Sequence, residues 1–317
     1  MNLSTITKTP LAYRDRITFE FGVYATCVFL NSLLCLFFIL RFHLWHSFKP
    51  TICFVTFGTF LLSLPLLFLQ FFLVISLWSR NEPQYTVAVC TFVKCFTSAT
   101  TSSAQVLPLP VAIYRYFLVV QNRKMPLSFV CLTHLVICLV FLTIALLNFP
   151  LGEFHQNDQC EILRFSNVME ALRIGLTLGL NIFAVFINCI IWMFVKKYDK
   201  REVDIHRRRV QLTYSMLLQS MIPILVSIPL LVGSFHFYFG FELPLQFTSR
   251  YYATTFLSPF LTPISSMLSL RTIRTELFSM FTKSQKILTG GRKISSFFNN
   301  NNASKLGARQ SSDYSSA

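Results

Sequence analysis

Residues 51–77 read TICFVTFGTFLLSLPLLFLQFFLVISL, 27 consecutive positions without one charged side chain. A helix needs about 20 apolar residues to cross the hydrocarbon core of a bilayer, so this stretch is long enough to span it. Six further stretches are also long and mainly apolar, and they lie at 17–40, 87–120, 127–150, 168–195, 210–239 and 247–270. The sequence therefore predicts an all-α membrane protein whose seven-transmembrane helix bundle occupies residues 17–270.

The composition argues against a soluble protein. Hydrophobic residues make up 53% of the chain and charged residues only 13%, with a mean hydropathy of +0.55. Charged residues are about a quarter of an ordinary soluble domain, so the spans are not buried helices of a large soluble core.

The distribution of basic residues predicts the orientation. Twenty of the 28 Lys and Arg residues lie at 41–50, 114–126, 196–209 and 271–317, whereas only six lie in the segments on the other side. Basic loops stay in the cytoplasm, so the N-terminus, residues 1–16, is expected outside the cell. The net charge of +15 then faces anionic lipids and cytoplasmic partners, and it requires no nucleic acid.

Two segments follow the seventh span. Residues 271–281 place Ile273, Leu277, Met280 and Phe281 on one helical face, which predicts an amphipathic helix on the inner leaflet. Residues 282–317 change to Lys, Ser, Asn and Gly, a composition typical of a disordered cytoplasmic tail.

The cysteines predict one disulfide bond. Seven of the nine lie within apolar spans, where a thiol behaves as a small hydrophobic group. Cys90, at the outer end of span three, and Cys160, in the second outer loop, share the oxidising face. We expect a bridge between them that pins this loop across the mouth of the bundle; two unpaired thiols are the alternative.

Lys94 is a charged residue inside the third span, one helical turn below Cys90. A charge near the bilayer centre costs about 2.5–3.5 kcal/mol unless it meets water or a partner. Lys94 is therefore a candidate anchor for an anionic or polar ligand. Four polar residues of the same span, Thr97, Ser98, Thr101 and Gln105, are candidate ligand contacts below it. The alternative is an ion pair with Glu153, Asp158 or Glu161 of the second outer loop.

The layout resembles that of rhodopsin-like G-protein-coupled receptors. Those receptors share seven spans, an outer N-terminus, and a cysteine followed 25 residues later by an arginine, here Cys90 and Arg115. The resemblance covers about residues 17–281. Asn31 occupies the place of their first-helix asparagine, and residues 262–267 (TPISSM) resemble a degenerate form of their seventh-helix Asn-Pro motif.

Several family motifs are altered. Tyr114-Arg115-Tyr116 stands in place of the acidic-Arg-Tyr triplet, span two lacks an aspartate, span four lacks a tryptophan, and residues 219–223 read QSMIP rather than Cys-Trp-x-Pro. This set resembles the serpentine chemoreceptors of nematodes. The stretches at 110–116 and 258–263 are most similar to the Srg superfamily and its Srv group.

The resemblance implies a plasma-membrane receptor, expected in a sensory-neuron cilium, that binds a small environmental molecule and activates a heterotrimeric G protein. It implies that Arg115 is a switch: a cation held against inner-helix acceptors in the closed bundle and freed for the G protein when span six moves outward. A membrane anchor at the inner interface would also explain this arginine. It assigns G-protein coupling to Tyr114, Tyr116, Lys196, Lys197, Arg207, Arg208 and Arg209, and helix pivots to Pro223 and Pro263.

Other functional classes fit less well. The histidines lie at different depths and on both sides, so we expect no metal, no cofactor and no enzymatic activity. A receptor for a peptide or another endogenous ligand is the principal alternative. A seven-helix channel subunit would place its N-terminus inside, against the basic-residue distribution. The expected partners are the ligand, a G protein and membrane lipids. The sequence leaves open whether the protein also forms a dimer with a second receptor.

Overall fold

The computed structural model describes residues 3–8, 14–40, 49–79, 84–155, 163–198, 210 and 212–228, together with 257–258, 261, 264–265, 275 and 279. The chain divides into two compact units, 1–269 and 270–317. Every helix and strand named below belongs to the first unit. In the second, Thr275 and Ser279 are helical, and the rest of the predicted inner-leaflet helix and the tail lies outside the described residues.

The described part of the chain is mostly helical. The helices are α1 (Arg14–Leu40), α2 (Lys49–Trp78), α3 (Val87–Val106), α4 (Pro108–Val119), α5 (Leu127–Leu146), α6 (Asn148–Leu151), α7 (Asn167–Tyr198) and α8 (Leu212–Ile228). Four segments among the described residues are long and apolar enough to cross a membrane: Ile17–Phe37, Cys53–Ser76, Leu127–Leu151 and Asn167–Lys197. They fall on the predicted spans one, two, four and five.

The sixth and seventh predicted spans are described only in part. The helix α8 covers the first half of span six, residue 210 is also helical, and residues 211 and 229–239 lie outside the described residues. In the predicted seventh span, residues 257–258, 261 and 264–265 are helical.

The interior of the bundle contains many polar side chains, and its outer surface is apolar. Every residue from 99 to 112, in the middle of span three, is buried, and this run includes Thr100, Thr101, Ser102, Ser103 and Gln105. Large side chains such as Phe72, Leu132 and Phe186 are instead exposed. This inversion suits a lipid solvent, because lipid solvates Phe and Leu whereas polar groups must find partners inside the protein.

Span three is two helices rather than the single helix predicted over 87–120. Pro108 and Pro110 have no backbone N–H, so they cannot donate to the preceding turn. The backbone N–H of Leu107 donates instead to the carbonyl of Ala104 at 3.4 Å, a tight turn that ends α3, and α4 begins at Pro108. Such a break is tolerated at membrane depth because it is buried within protein.

Two short sheets, which the sequence analysis did not predict, cover one end of the bundle. The strand β1 (Ile6–Lys8) pairs antiparallel with β2 (Gln84–Thr86), and β3 (Glu153–His155) pairs antiparallel with β4 (Leu163–Phe165). The N-terminal segment also accepts the first N–H groups of α3, from Val87 and Ala88. The N-terminus therefore lies at the same end as the start of span three.

The break in span three is packed directly against α2. A Cβ atom built on Gly58 would lie 2.9 Å from Cδ2 of the fully buried Leu107. The absence of a side chain at Gly58 thus permits α2 to approach the turn between α3 and α4. Below the turn, Leu109 and Ala112 join Ile187 and Ile191 of α7 in the main apolar core.

Substituting Gly58 by Ala tests this close approach. The added methyl group forces Leu107 from its position, and we expect a lower thermal stability, by about 1 kcal/mol, for the protein in lipid nanodiscs. Gly175→Ala is the matched control, because a Cβ there meets no atom within 4 Å. Adding Leu107→Ala to Gly58→Ala should make the two effects non-additive. Equal unfolding temperatures for the two glycine variants would contradict this packing.

Candidate functional site

The hairpin of β3 and β4 is attached to the top of span three. The backbone N–H of Arg164 donates to the hydroxyl of Thr91 in α3 at 2.9 Å. The Arg164 side chain donates to the carbonyl oxygens of Gly152 at 2.7 Å and Pro150 at 3.2 Å, and its guanidinium lies over the Phe154 ring. These contacts hold the second outer loop over the end of the bundle.

Cys90, in the first turn of α3, is disulfide-bonded. The seven other cysteines of the described residues are in the thiol form. Cys160 lies outside the described residues, so the predicted pairing with Cys90 stays a prediction.

The predicted ligand contacts share one side of α3. Thr97, Thr101 and Gln105 are buried, whereas Lys94 and Ser98 are half-buried. The hydroxyl oxygen of Thr101 has no hydrogen-bond partner among the described residues. The polar face is therefore a real feature of the bundle interior; the ligand-binding role of these residues stays a prediction.

An ionic cluster beside this face was missed by the sequence analysis. Arg173 of α7 forms two hydrogen bonds to the carboxylate of Glu170, which lies one turn earlier in the same helix. Nε of Arg173 donates to Oε2 of Glu170 at 2.7 Å, and a terminal nitrogen donates to Oε1. Its other terminal nitrogen donates to the hydroxyl of Ser102 in α3 at 2.5 Å. The two charges lie within or near the predicted span 168–195 at the i, i+3 spacing of a helix pair, and that signal could have identified them.

Lys94 lies on the same face of α3 as Thr101, and its positive charge attracts the Glu170 carboxylate of α7. The ion-pair partners predicted for Lys94 from the sequence are acidic residues of the second outer loop, not residues of α7. Of those residues, Glu153 is exposed on β3, and Asp158 and Glu161 lie outside the described residues. Lys94, Glu170, Arg173 and Ser102 thus link spans three and five; we call these four residues the outer ionic cluster.

The middle of the bundle contains a second polar contact, between spans five and six. The side-chain amide of Asn188 in α7 donates to the hydroxyl of Ser220 in α8 at 3.0 Å, and both residues are fully buried. Asn31, the first-helix asparagine, is also fully buried, and its amide donates to the carbonyl of Cys27 at 2.8 Å.

Arg115 connects spans three and six at the opposite end from Cys90. A terminal nitrogen of its guanidinium donates to the hydroxyl of Thr213 in α8 at 2.8 Å. The Arg115 side chain is only 4% exposed, and its second terminal nitrogen is buried without a hydrogen-bond partner among the described residues. A buried cation held by one hydroxyl is stabilised less than one held by a carboxylate.

The remaining predicted coupling residues are described in part. Tyr114 and Tyr116 are half-buried, and Tyr116 packs edge to face with Phe117. Lys196 and Lys197 are exposed in the last turn of α7, where Lys196 lies over the Trp192 ring. Arg207, Arg208 and Arg209 lie outside the described residues.

Of the two predicted pivots, Pro223 is described and Pro263 is not. Pro223 is buried within α8, which continues past it to Ile228. Because proline has no N–H, the carbonyl of Gln219 lacks its usual helical donor at this point. The hydroxyl of Ser227 donates to the Pro223 carbonyl at 2.6 Å.

Among the described residues, no three His, Cys, Asp or Glu side chains lie close enough together to hold a metal ion. His134 lies within α5 and contacts the ring of Phe54 and the thiol of Cys138.

Comparison with solved structures identifies the fold. A crystal structure of squid rhodopsin superposes with a TM-score of 0.63, covering 87% of this chain and 87% of that chain at 16% sequence identity. Rhodopsin is a seven-helix membrane bundle, so the predicted fold class is confirmed.

Sequence comparison identifies the family. The "Uncharacterized protein ZK757.1" of Caenorhabditis elegans is 69% identical over 317 residues, which cover 100% of this chain and 98% of that protein. Residues 1–199 match a family described as "Protein of unknown function (DUF1182)". The chain therefore belongs to the DUF1182 family, and its fold is a seven-helix membrane bundle with the rhodopsin layout.

Proposed function

We propose that the protein is a G-protein-coupled chemosensory receptor of the plasma membrane that binds a small environmental molecule between its outer helix ends. The observation that carries this proposal is the contact of Arg115 with Thr213. This contact links spans three and six at the end that the basic-residue distribution assigns to the cytoplasm. The rhodopsin layout supports the same reading.

The Arg115 contact has the properties of a reversible latch. Burial of a guanidinium is costly, and the hydrogen bond to Thr213 offsets only part of that cost. Outward movement of span six would break one hydrogen bond and would release Arg115 toward a cytoplasmic partner. Because its described partner is a hydroxyl, this closed state is held weakly, and we expect measurable activity without ligand.

The proposed G-protein coupling surface lies at the same end of the bundle as Arg115. Lys196 and Lys197 extend α7 with exposed positive charges, and Arg207 to Arg209 continue the basic loop. A cationic rim of this kind suits the acidic C-terminal helix end of a G-protein α-subunit. Pro223 and Pro263 are the proposed points about which spans six and seven bend.

The ligand site lies at the other end of span three. Cationic, hydroxyl and amide groups lie within the bundle there, beneath the hairpin that Arg164 attaches; they belong to Lys94, Thr97, Ser98, Thr101 and Gln105. A small molecule that carries hydrogen-bonding groups would find several partners there. We assign the receptor to the nematode serpentine chemoreceptors, near the Srg and Srv groups, and to the sensory cilium.

Replacing Arg115 by Ala tests the coupling role. We expect agonist-driven calcium or cAMP responses of transfected cells to fall at least about tenfold, because the released cation is the proposed G-protein contact. Arg123→Ala, at an exposed position of the second inner loop, should leave the response unchanged at equal surface expression. Intact signalling by Arg115→Ala would refute the assignment.

Replacing Thr213 by Val tests the latch. Valine keeps the shape of threonine but accepts no hydrogen bond, so we expect agonist-independent signalling to rise, with about a tenfold shift toward the open state. Thr143→Val is the control, because the hydroxyl of this exposed threonine bonds only within its own helix. A basal signal that does not exceed the control would show that the contact holds no switch.

Epitope tags at the two ends test the orientation. A tag at the N-terminus should bind antibody on intact cells, and a tag at the C-terminus should bind only after permeabilisation. The reverse result would favour the channel-subunit class.

A further inference from the structure

The outer ionic cluster brings two cations and one carboxylate together inside the membrane-spanning part of the bundle. The side chains of Arg173 and Glu170 are only 10% and 15% exposed. Arg173 bonds Glu170 within α7 and Ser102 across to α3, and Lys94 of α3 acts on the same carboxylate. Charges at such depth are costly, and they mark candidate functional sites in membrane proteins.

The geometry of Arg173 is already that of a carboxylate receptor. Glu170 binds the edge of the guanidinium formed by Nε and a terminal nitrogen, the edge that carboxylates prefer because two parallel hydrogen bonds form. The bond to Ser102 fixes the guanidinium plane against span three. An incoming carboxylate would therefore meet an arginine whose side chain is already ordered, which lowers the entropy cost of binding.

The neighbouring side chains also favour an anion. Lys94, on the same face of α3 as Thr101, adds a second positive charge against the single carboxylate of Glu170, so the sum of these charges favours an anion. Thr101, one position from Ser102, has a buried hydroxyl without a hydrogen-bond partner among the described residues. Such a hydroxyl can donate to a ligand oxygen.

We infer that Lys94 and Arg173 form a binding site for a small organic carboxylate, whose carboxylate shares or replaces the Glu170 contact. The inference rests on the outer ligand site of the proposed function and names its ligand class. Exchange of one carboxylate for another leaves the number of charge-assisted bonds to Arg173 unchanged.

Thermal unfolding of the full-length receptor in lipid nanodiscs tests the site without a G protein. The probes are the carboxylates butyrate and benzoate. Butyramide and benzamide are the neutral controls of the same shape, and butylamine is the cationic control. We expect a saturable rise of the unfolding temperature with the carboxylates only, because a ligand that binds the folded state stabilises it.

Two kinds of variant give opposite predictions. Glu170→Gln removes the competing carboxylate, and we expect it to bind benzoate roughly tenfold more tightly than the unaltered receptor. Lys94→Met, which leaves Arg173 and Glu170 in place, should weaken benzoate binding by roughly tenfold. Lys124→Met, an exposed lysine of the second inner loop, is the charge-matched control and should bind as the unaltered receptor does.

Three outcomes would overturn the inference. The first is the same shift with benzamide as with benzoate, and the second is no carboxylate-dependent shift in either the unaltered receptor or Glu170→Gln. The third is a shift with butylamine that Glu170→Gln abolishes, which would make Glu170 the anchor for a cation. Carboxylate binding without any G-protein activation would leave this site standing and would refute the proposed function instead.

Discussion

The constraint on which the structure depends is that a polar or charged side chain inside lipid must find its partner within the protein. Three contacts meet it at three depths: Arg173 with Ser102, Asn188 with Ser220, and Arg115 with Thr213. Each joins two different spans, so each also sets how those helices lie against one another. Apolar contacts cannot do this as specifically, because lipid tails solvate Leu and Phe as well as a neighbouring helix does.

The buried arginines at the two ends differ in how their charges are balanced. Each donates to a hydroxyl of another span, Arg173 to Ser102 and Arg115 to Thr213, but Arg173 also pairs with the Glu170 carboxylate of its own helix, whereas the described partner of Arg115 is a hydroxyl alone. The Arg115 cation is therefore the less stabilised of the two, which favours its release at the inner end. A ligand that alters the outer cluster would act on span five, which shares the Asn188 contact with span six.

The overall fold could be predicted from the sequence, because long uncharged stretches and one-sided basic loops depend only on the lipid solvent. The break at Leu107 could be predicted only as a kink at Pro108 and Pro110, since the tight packing of Gly58 against it depends on a distant helix. The pairing of the N-terminal strand with residues 84–86 has no signal in its few residues.

In the candidate site, the charged residues could be predicted from the sequence, but their hydroxyl partners could not. Arg115 and Lys94 are isolated charges in apolar spans, and such charges are visible in a sequence. The partners of Arg115 and Arg173, Thr213 and Ser102, are ordinary hydroxyl residues that only three-dimensional packing distinguishes from others. Glu170 and Arg173 were visible as two opposite charges three residues apart within the predicted span 168–195, but the contact of Arg173 with span three was not.

The central claim is that spans three and six are held together near Arg115 and separate when a G protein binds. The most direct measurement is the distance between spin labels on keto amino acids at Leu118 and Tyr214, both exposed, determined by double electron–electron resonance in nanodiscs. The account predicts one short distance in the free receptor and an increase of about 5 Å with nucleotide-free G protein bound. An unchanged distance distribution in that complex would contradict it.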